Sequence, residues 1–533
     1  MLNVKIIKKN YGTKFAYINV KTLKGGAAMS WNRRDLFKLG ILGAVVGGIG
    51  KLATGTAQAV PIFGGEPTFN DVYKQIGRYI FLVPGKFAGL VAAYDMSTGM
   101  CLAWANMSIW AGNRTPIVHH LAAFASPDPY KEFEFVVNTQ GGKNLYIYGV
   151  ATPVKDPDPG FNIWRIKYDG SKMVLLEEVD KTTGLGLGVH VTAAPDNKHF
   201  AVADGQKDIF AVFEKGEGTA PSKVKTAVFF DWEPNNKELS RAWLDGGTLI
   251  IKKLHPPYDY IGTKGNKLDW ELVPGGELFA EQGKVTGARV RNACALDSLT
   301  WNPTKPYAAA ALRTIGCAVI FNTRTWEPVA CLVGSDKFAK HGYKLPIKKV
   351  SADEWEVKFP FVPTPAHQAG FHPSGNYFVL MNNVRENSMP VFDCSSSDPG
   401  KWTKIASVGD PSWRGAYPNP FHMVFTPNGK KLFVTLWWPA PTPNGLAVVD
   451  TDTWKIEKTI TIGPDIHTLA ITYDGKHLLG VFSGYQKTHS GMYVLRVKDY
   501  KLLGYLPSPL GHHDCVIVPR TTKDLYVSRC TTT

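Results

Sequence analysis

His422-Met-Val-Phe-Thr-Pro-Asn-Gly-Lys-Lys-Leu-Phe-Val-Thr-Leu436, followed by Gly445-Leu-Ala-Val-Val-Asp-Thr-Asp-Thr-Trp-Lys-Ile-Glu-Lys-Thr-Ile460, reads as four short apolar strands joined by tight turns. Pro427-Asn428-Gly429 has the chemistry of a turn between the first two strands, and Asp450-Thr-Asp452 that of an acidic turn between the last two. Aliphatic, aromatic and β-branched residues between such punctuation marks predict an antiparallel meander.

Copies of its second strand stand at Gly142-Lys-Asn-Leu-Tyr-Ile-Tyr148, Asn197-Lys-His-Phe-Ala-Val-Ala203, Lys305-Pro-Tyr-Ala-Ala-Ala-Ala311, Gly375-Asn-Tyr-Phe-Val-Leu-Met381, Gly475-Lys-His-Leu-Leu-Gly-Val481 and Thr522-Lys-Asp-Leu-Tyr-Val-Ser528. Gly247-Thr-Leu-Ile-Ile251 fits a degenerate copy in the longest gap. Four strands repeating every 45 to 55 residues or so predict an all-β fold, a β-propeller of seven blades with eight as the alternative count. The last copy ends near Cys530, too late to complete a sheet, so Tyr79–Val83 and Gly89–Trp104 are expected to complete it and close the ring. Inserts at 255–290 and 333–364 are expected to cap one face of the disc.

Five histidines stand five or six residues before the first turn of a repeat: His190, His367, His422, His467 and His513. In a propeller that strand is innermost, so its first residues from different blades face one another across the channel. Asp297 holds the same register before Pro303, and His119-His120 lies outside it, upstream of the first recognisable turn. A residue as scarce as His, 14 in 533, recurring at one register points to metal binding. Imidazoles suit copper, zinc, iron or nickel, and five or six of them exceed one tetrahedral zinc site. Copper clusters fit best. The remaining histidines fall on turns or outer strands and are expected to be structural or solvated.

The hydrophobic content of 44%, with 15 Trp and 21 Tyr, is ample for a large core. The net charge of +15 is concentrated at the start: residues 1–59 carry ten Lys or Arg and one acid, leaving 50 basic and 44 acidic residues, or +6, beyond them. Such a body needs no nucleic-acid partner, although a modest positive field suits a small anion. Residues 1–59 read as an export region. Asn32-Arg33-Arg34-Asp35-Leu36-Phe37-Lys38 is a twin-arginine motif, Leu39–Ile49 is apolar, and Ala57-Gln58-Ala59 is a cleavage site, with Met29 a plausible start. Residues 60–533 are then a single propeller domain, periplasmic and not membrane-bound. Seven cysteines without any C-x-x-C make c-type haem and a zinc ribbon poor readings.

The twin-arginine signal, the blade repeats and the order His119, His190, His367, His422, His467, His513 resemble the thiocyanate dehydrogenase family, periplasmic copper enzymes related to the catalytic domain of nitrous oxide reductase. The resemblance covers essentially the whole chain beyond the signal. It implies that those six His hold three copper ions, and that thiocyanate and water yield cyanate, elemental sulfur, two protons and two electrons. Lys86, Glu271 and Asp297 are similar in type and order to the family's acid/base and anion-contact residues; Asp297 alone also stands on the blade register, and Glu277 competes with Glu271. An external acceptor such as a periplasmic cytochrome c is implied, and so is a homodimer. Nitrous oxide reductase itself is less similar, since its copper-binding cupredoxin motif is not seen in this sequence. The alternatives are a nitrous-oxide-reductase-like enzyme using both His119 and His120, a lactonase-like propeller, and a non-catalytic propeller that binds a protein.

Overall fold

The computed structural model describes residues 4–8 and 14–18 and, between 76 and 526, all but 86–88, 112–116, 141–143, 148–149, 154–161, 184, 186, 188–189, 206–207, 236–244, 257, 259–293, 295, 314, 362–365, 383–387, 411–418, 438–443, 464–465, 483–490 and 508–513. The chain forms two units, Met1–Ile62 and Phe63–Thr533. In the first, Val4–Lys8 pairs with Lys14–Ile18 as a hairpin. The twin-arginine motif and the cleavage site lie outside the described residues.

The second unit is a ring of seven antiparallel sheets. Blade 1 runs Ile117–Ala123, Phe133–Gln140, Ile163–Tyr168, Met173–Glu178. Blade 2 begins with His190–Ala193, His199–Asp204, Ile209–Glu214 and Lys223–Pro234. Leu296–Trp301, Ala366–Phe371, Asn419–Phe425 and Ile466–Ile471 are the innermost strands of blades 3 to 6. Blade 7 closes the ring: Val516–Ile517 pairs with Ile80–Gly85, followed by Leu90–Asp95 and Cys101–Asn106. The N-terminal strands thus complete the last sheet, as the repeat count requires.

Each blade buries both faces, which explains strands without polar alternation. In Tyr307-Ala-Ala-Ala-Ala-Leu312, every residue is buried. Ala308, Ala310 and Leu312 pack towards blade 2, and Tyr307, Ala309 and Ala311 towards blade 4. One such core fills each of the seven interfaces, the one between blades 7 and 1 included. The hydrophobic burial that stabilises the fold is therefore spread around the ring.

Four of the turns that carry the register obey one rule. Asn197, Gly375, Gly429 and Gly475 have φ near +60 to +70°, where residues with a β-carbon are strained and Gly or Asn is favoured. The residue before each is Asp196, Ser374, Asn428 or Asp474, whose side-chain oxygen accepts the backbone N–H two residues on.

Four expectations are corrected. Asn144–Ile147 belongs to a separate hairpin with Val150–Pro153, and the second strand of blade 1 is Phe133–Gln140. Gly247–Leu254 is a fifth strand on the outer edge of blade 2, not a blade, which explains the long gap and leaves seven blades. Asp524–Tyr526 is a short 3-10 helix, because Ile80–Gly85 already occupies the place of a second strand. The insert at 333–364 extends the perimeter: Glu354–Phe359 pairs with Gly247–Leu254, and Lys344–Leu345 with the outer strand of blade 3. It covers edges that would otherwise offer unpaired backbone groups. Residues 259–293, most of the other insert, lie outside the described residues. Among the described residues no helix is long and apolar enough to cross a membrane.

Candidate metal centre

The innermost strands share a defect at the register of the histidines. Ladder pairing is interrupted at His119-His120 in blade 1, Asp297 in blade 3, His367 in blade 4, Phe421-His422 in blade 5 and His467-Thr468 in blade 6. A β-bulge inserts an extra residue and re-aims side chains. Five blades use one at the channel position. The backbone N–H groups released this way are taken up locally: Asn138 Oδ1 accepts from His120 N at 3.0 Å, and Thr435 Oγ1 from His422 N at 2.9 Å.

The bulge explains His119 and His120. Aligned on the first ladder pair after it, Leu121–Val137 in blade 1 and Met423–Val434 in blade 5, His120 corresponds to His422 and His119 to Phe421. Counting back from the turn fails in blade 1 because its connection, 124–132, is longer than the others. The register itself divides into two tiers. Six residues before the turn stand Asp297, His367, Phe421, His467 and His513, joined by His119. Five residues before it stand His190, Ser298, Gln368, His422, Thr468 and Asp514, joined by His120. Every blade places a buried polar side chain in this second tier.

His119, His120 and His190 come together. One ligand atom from each lies within 4.8 Å of the others, and all three rings are buried. The rings of His120 and His190 stack at 3.9 Å, and that of His119 stands edge-on to His120 at 4.1 Å. Asp297 Oδ1 lies 3.9 Å from His190 Nε2 and 3.7 Å from Arg313, a cation without any motif in the sequence. On the other side of the stack, Asp514 Oδ2 lies 3.3 Å from His120 Nδ1 and accepts the Leu121 N–H at 3.1 Å.

A second group is built from blades 4 to 6. His422 and His467 rings are 4.4 Å apart, Phe421 lies 4.9 Å from both, and the Gln368 amide meets His422 Nδ1 at 2.7 Å. The side chain of His367, together with His513, Lys86, Glu271 and Glu277, lies outside the described residues. The structure thus places His119 and His190 in one group and His422 and His467 in another, with Asp297 beside the first.

Three imidazoles with no carboxylate among them form a donor set of the kind that suits a transition metal rather than calcium or magnesium. Their burial excludes bulk water. Three buried His in reach of one another fit a metal ion.

No protein-family model matches the chain, and no curated protein matches it. Among solved structures, it is similar to the periplasmic gluconolactonase PpgL of Pseudomonas aeruginosa, at 12% identity, covering 83% of this chain and 99% of that one with a TM-score of 0.49. It is also similar to the dihydro-heme d1 dehydrogenase NirN, at 13% identity over 87% and 78% of the two chains with a TM-score of 0.45. A protein from Lactobacillus plantarum gives 10% identity, 83% and 99% coverage and a TM-score of 0.48.

Proposed function

We propose that this chain is a periplasmic copper oxidoreductase that converts thiocyanate and water into cyanate, elemental sulfur, two protons and two electrons, the electrons leaving to an external acceptor such as a cytochrome c. The observation that carries the reading is the buried His119–His120–His190 group at the mouth of the innermost strands. His119 and His190 with His367, His422, His467 and His513 would hold the copper ions. Bound copper supplies Lewis acidity towards water and, with more than one ion, capacity for two electrons.

The chain's own residues supply the rest. Asp297, buried and 3.9 Å from His190, is placed to take a proton from water at the centre. Arg313 beside it offers positive charge to an anion held there, the role that the family resemblance gives to Lys86. The apolar wall of Phe421 against His422 and His467 keeps solvent from that side of the centre. Copper-loaded protein should reduce a redox dye only when thiocyanate is present, releasing one cyanate per two electrons. Copper binding without thiocyanate-dependent reduction overturns the substrate and leaves the centre.

One observation favours a second reading. His120 is as close to His190 as any ligand candidate, and a nitrous-oxide-reductase-like centre uses both His119 and His120. Single replacements separate the two. Loss of copper in His119→Ala but not in His120→Ala supports the thiocyanate reading; loss in both supports the second.

A further inference from the structure

The tier five residues before the turn is polar in all seven blades, yet only three of its members are histidines. Asp514 is the charged one. It is fully buried, two residues before the strand that closes the ring, next to His513 in sequence. A carboxylate removed from water needs compensation, and here two groups provide it: the Leu121 N–H at 3.1 Å and the His120 imidazole, whose Nδ1 is 3.3 Å away. The backbone contact ties blade 7 to blade 1. The imidazole contact does something different, because that ring is a member of the His119–His120–His190 group.

We propose that Asp514 is a positioning residue for the metal centre: its Oδ2, 3.3 Å from His120 Nδ1, favours the proton on that nitrogen and so leaves the lone pair on Nε2 for a metal ion. An imidazole presents a lone pair on one nitrogen only when its proton sits on the other, so whatever holds that proton selects the ligating atom. His120 then either ligates directly or, stacked at 3.9 Å on His190, fixes the plane of that ring. A contact of opposite sense lies across the channel, where the amide nitrogen of Gln368, also fully buried, stands 2.7 Å from His422 Nδ1 as a donor to it. In both cases a non-histidine member of the tier addresses the Nδ1 of a histidine in the same tier, one blade further round. The ring is therefore a shell that orients the centre as well as a set of ligands. This inference rests on the metal-centre reading of the same triad.

Asp514→Asn tests it. Asparagine keeps the size of the side chain but replaces the charged Oδ2, which meets both the Leu121 N–H and His120 Nδ1, by a neutral carbonyl oxygen or an amide nitrogen, so the hold on the imidazole weakens or is lost. Titrated with copper(II) against a chelator of known affinity, the variant should bind about 10- to 100-fold more weakly than wild type, with an altered electron paramagnetic resonance spectrum. Asp514→Asn added to His120→Ala should weaken binding no further than His120→Ala alone, because the carboxylate acts through that ring. Wild-type affinity and spectrum in Asp514→Asn, or effects that multiply in the double variant, overturn the proposal. Wild-type protein that binds no copper overturns the metal-centre reading and the proposal with it; unchanged binding in Asp514→Asn overturns the proposal alone. If Asp514→Asn does not fold, the tautomer of His120 in histidine-15N-labelled wild type, assigned by its loss in His120→Gln, decides. Nδ1 protonated is the expected result, and Nε2 protonated the contrary one.

Discussion

Asp297 lies beside the histidine triad, where the proposed reaction would need a proton acceptor. It is nearly inaccessible, and two groups that favour negative charge, His190 and Arg313, lie within 4 Å of it. Asp297→Asn preserves shape and removes the basic oxygen, so turnover is expected to fall about 10²- to 10⁴-fold while the copper content stays that of wild type, both measured on the same preparation. Loss of copper instead would make Asp297 a ligand. Its register was legible in the sequence, as were those of His190, His422 and His467. His120, Asp514 and Gln368 were not separated from the rest, because an offset of five against six residues looks like noise until the bulges divide it into two tiers. Arg313 carries no signal at all: its position depends on where the second strand of blade 3 ends.

The bulge is the element that turns a repeat into a site. A regular strand would alternate its side chains between the two neighbouring blades, as Tyr307–Leu312 does, and would present no coherent set to the channel. Extra residues at one register turn five blades inward together. The segment leading into Asp297 is anchored by Asp208, which adopts φ +52° and is fully buried. Its carboxyl accepts the N–H groups of Cys294 at 3.0 Å and Leu296 at 2.8 Å, and burial pushes it well above the usual carboxylate range. Asp208→Ala leaves two buried donors unsatisfied at a cost of about 1–3 kcal/mol each, partly offset by removing a buried carboxyl. A net loss of about 2–4 kcal/mol in denaturant unfolding is expected, and an unchanged midpoint would show that other groups hold the segment. Turn chemistry announced these elements in advance; bulges left no comparable mark, since they depend on pairing between strands.

At the scale of the molecule, seven interfaces each hold one apolar core, and closure brings the two ends of the propeller chain into one sheet. Closure is what sets Asp514, just before the C-terminal strand, against His120 from blade 1, across 394 positions of sequence. The number of blades and the manner of closure were legible because period and leftover strands are counted along the chain. The fifth strand of blade 2 and the perimeter insert were not, because an outer edge accepts any strand that pairs, whatever its place in the repeat. The ring brings histidines from separate blades together, and copper held there would make them a metal centre. Counting copper per chain by mass spectrometry in wild type and in His190→Ala, after loading and removal of loosely held metal, tests it most directly. The account predicts stoichiometric copper in the wild type and loss of at least one ion in a His190→Ala variant that remains folded; equal copper in the two, or none in either, contradicts it.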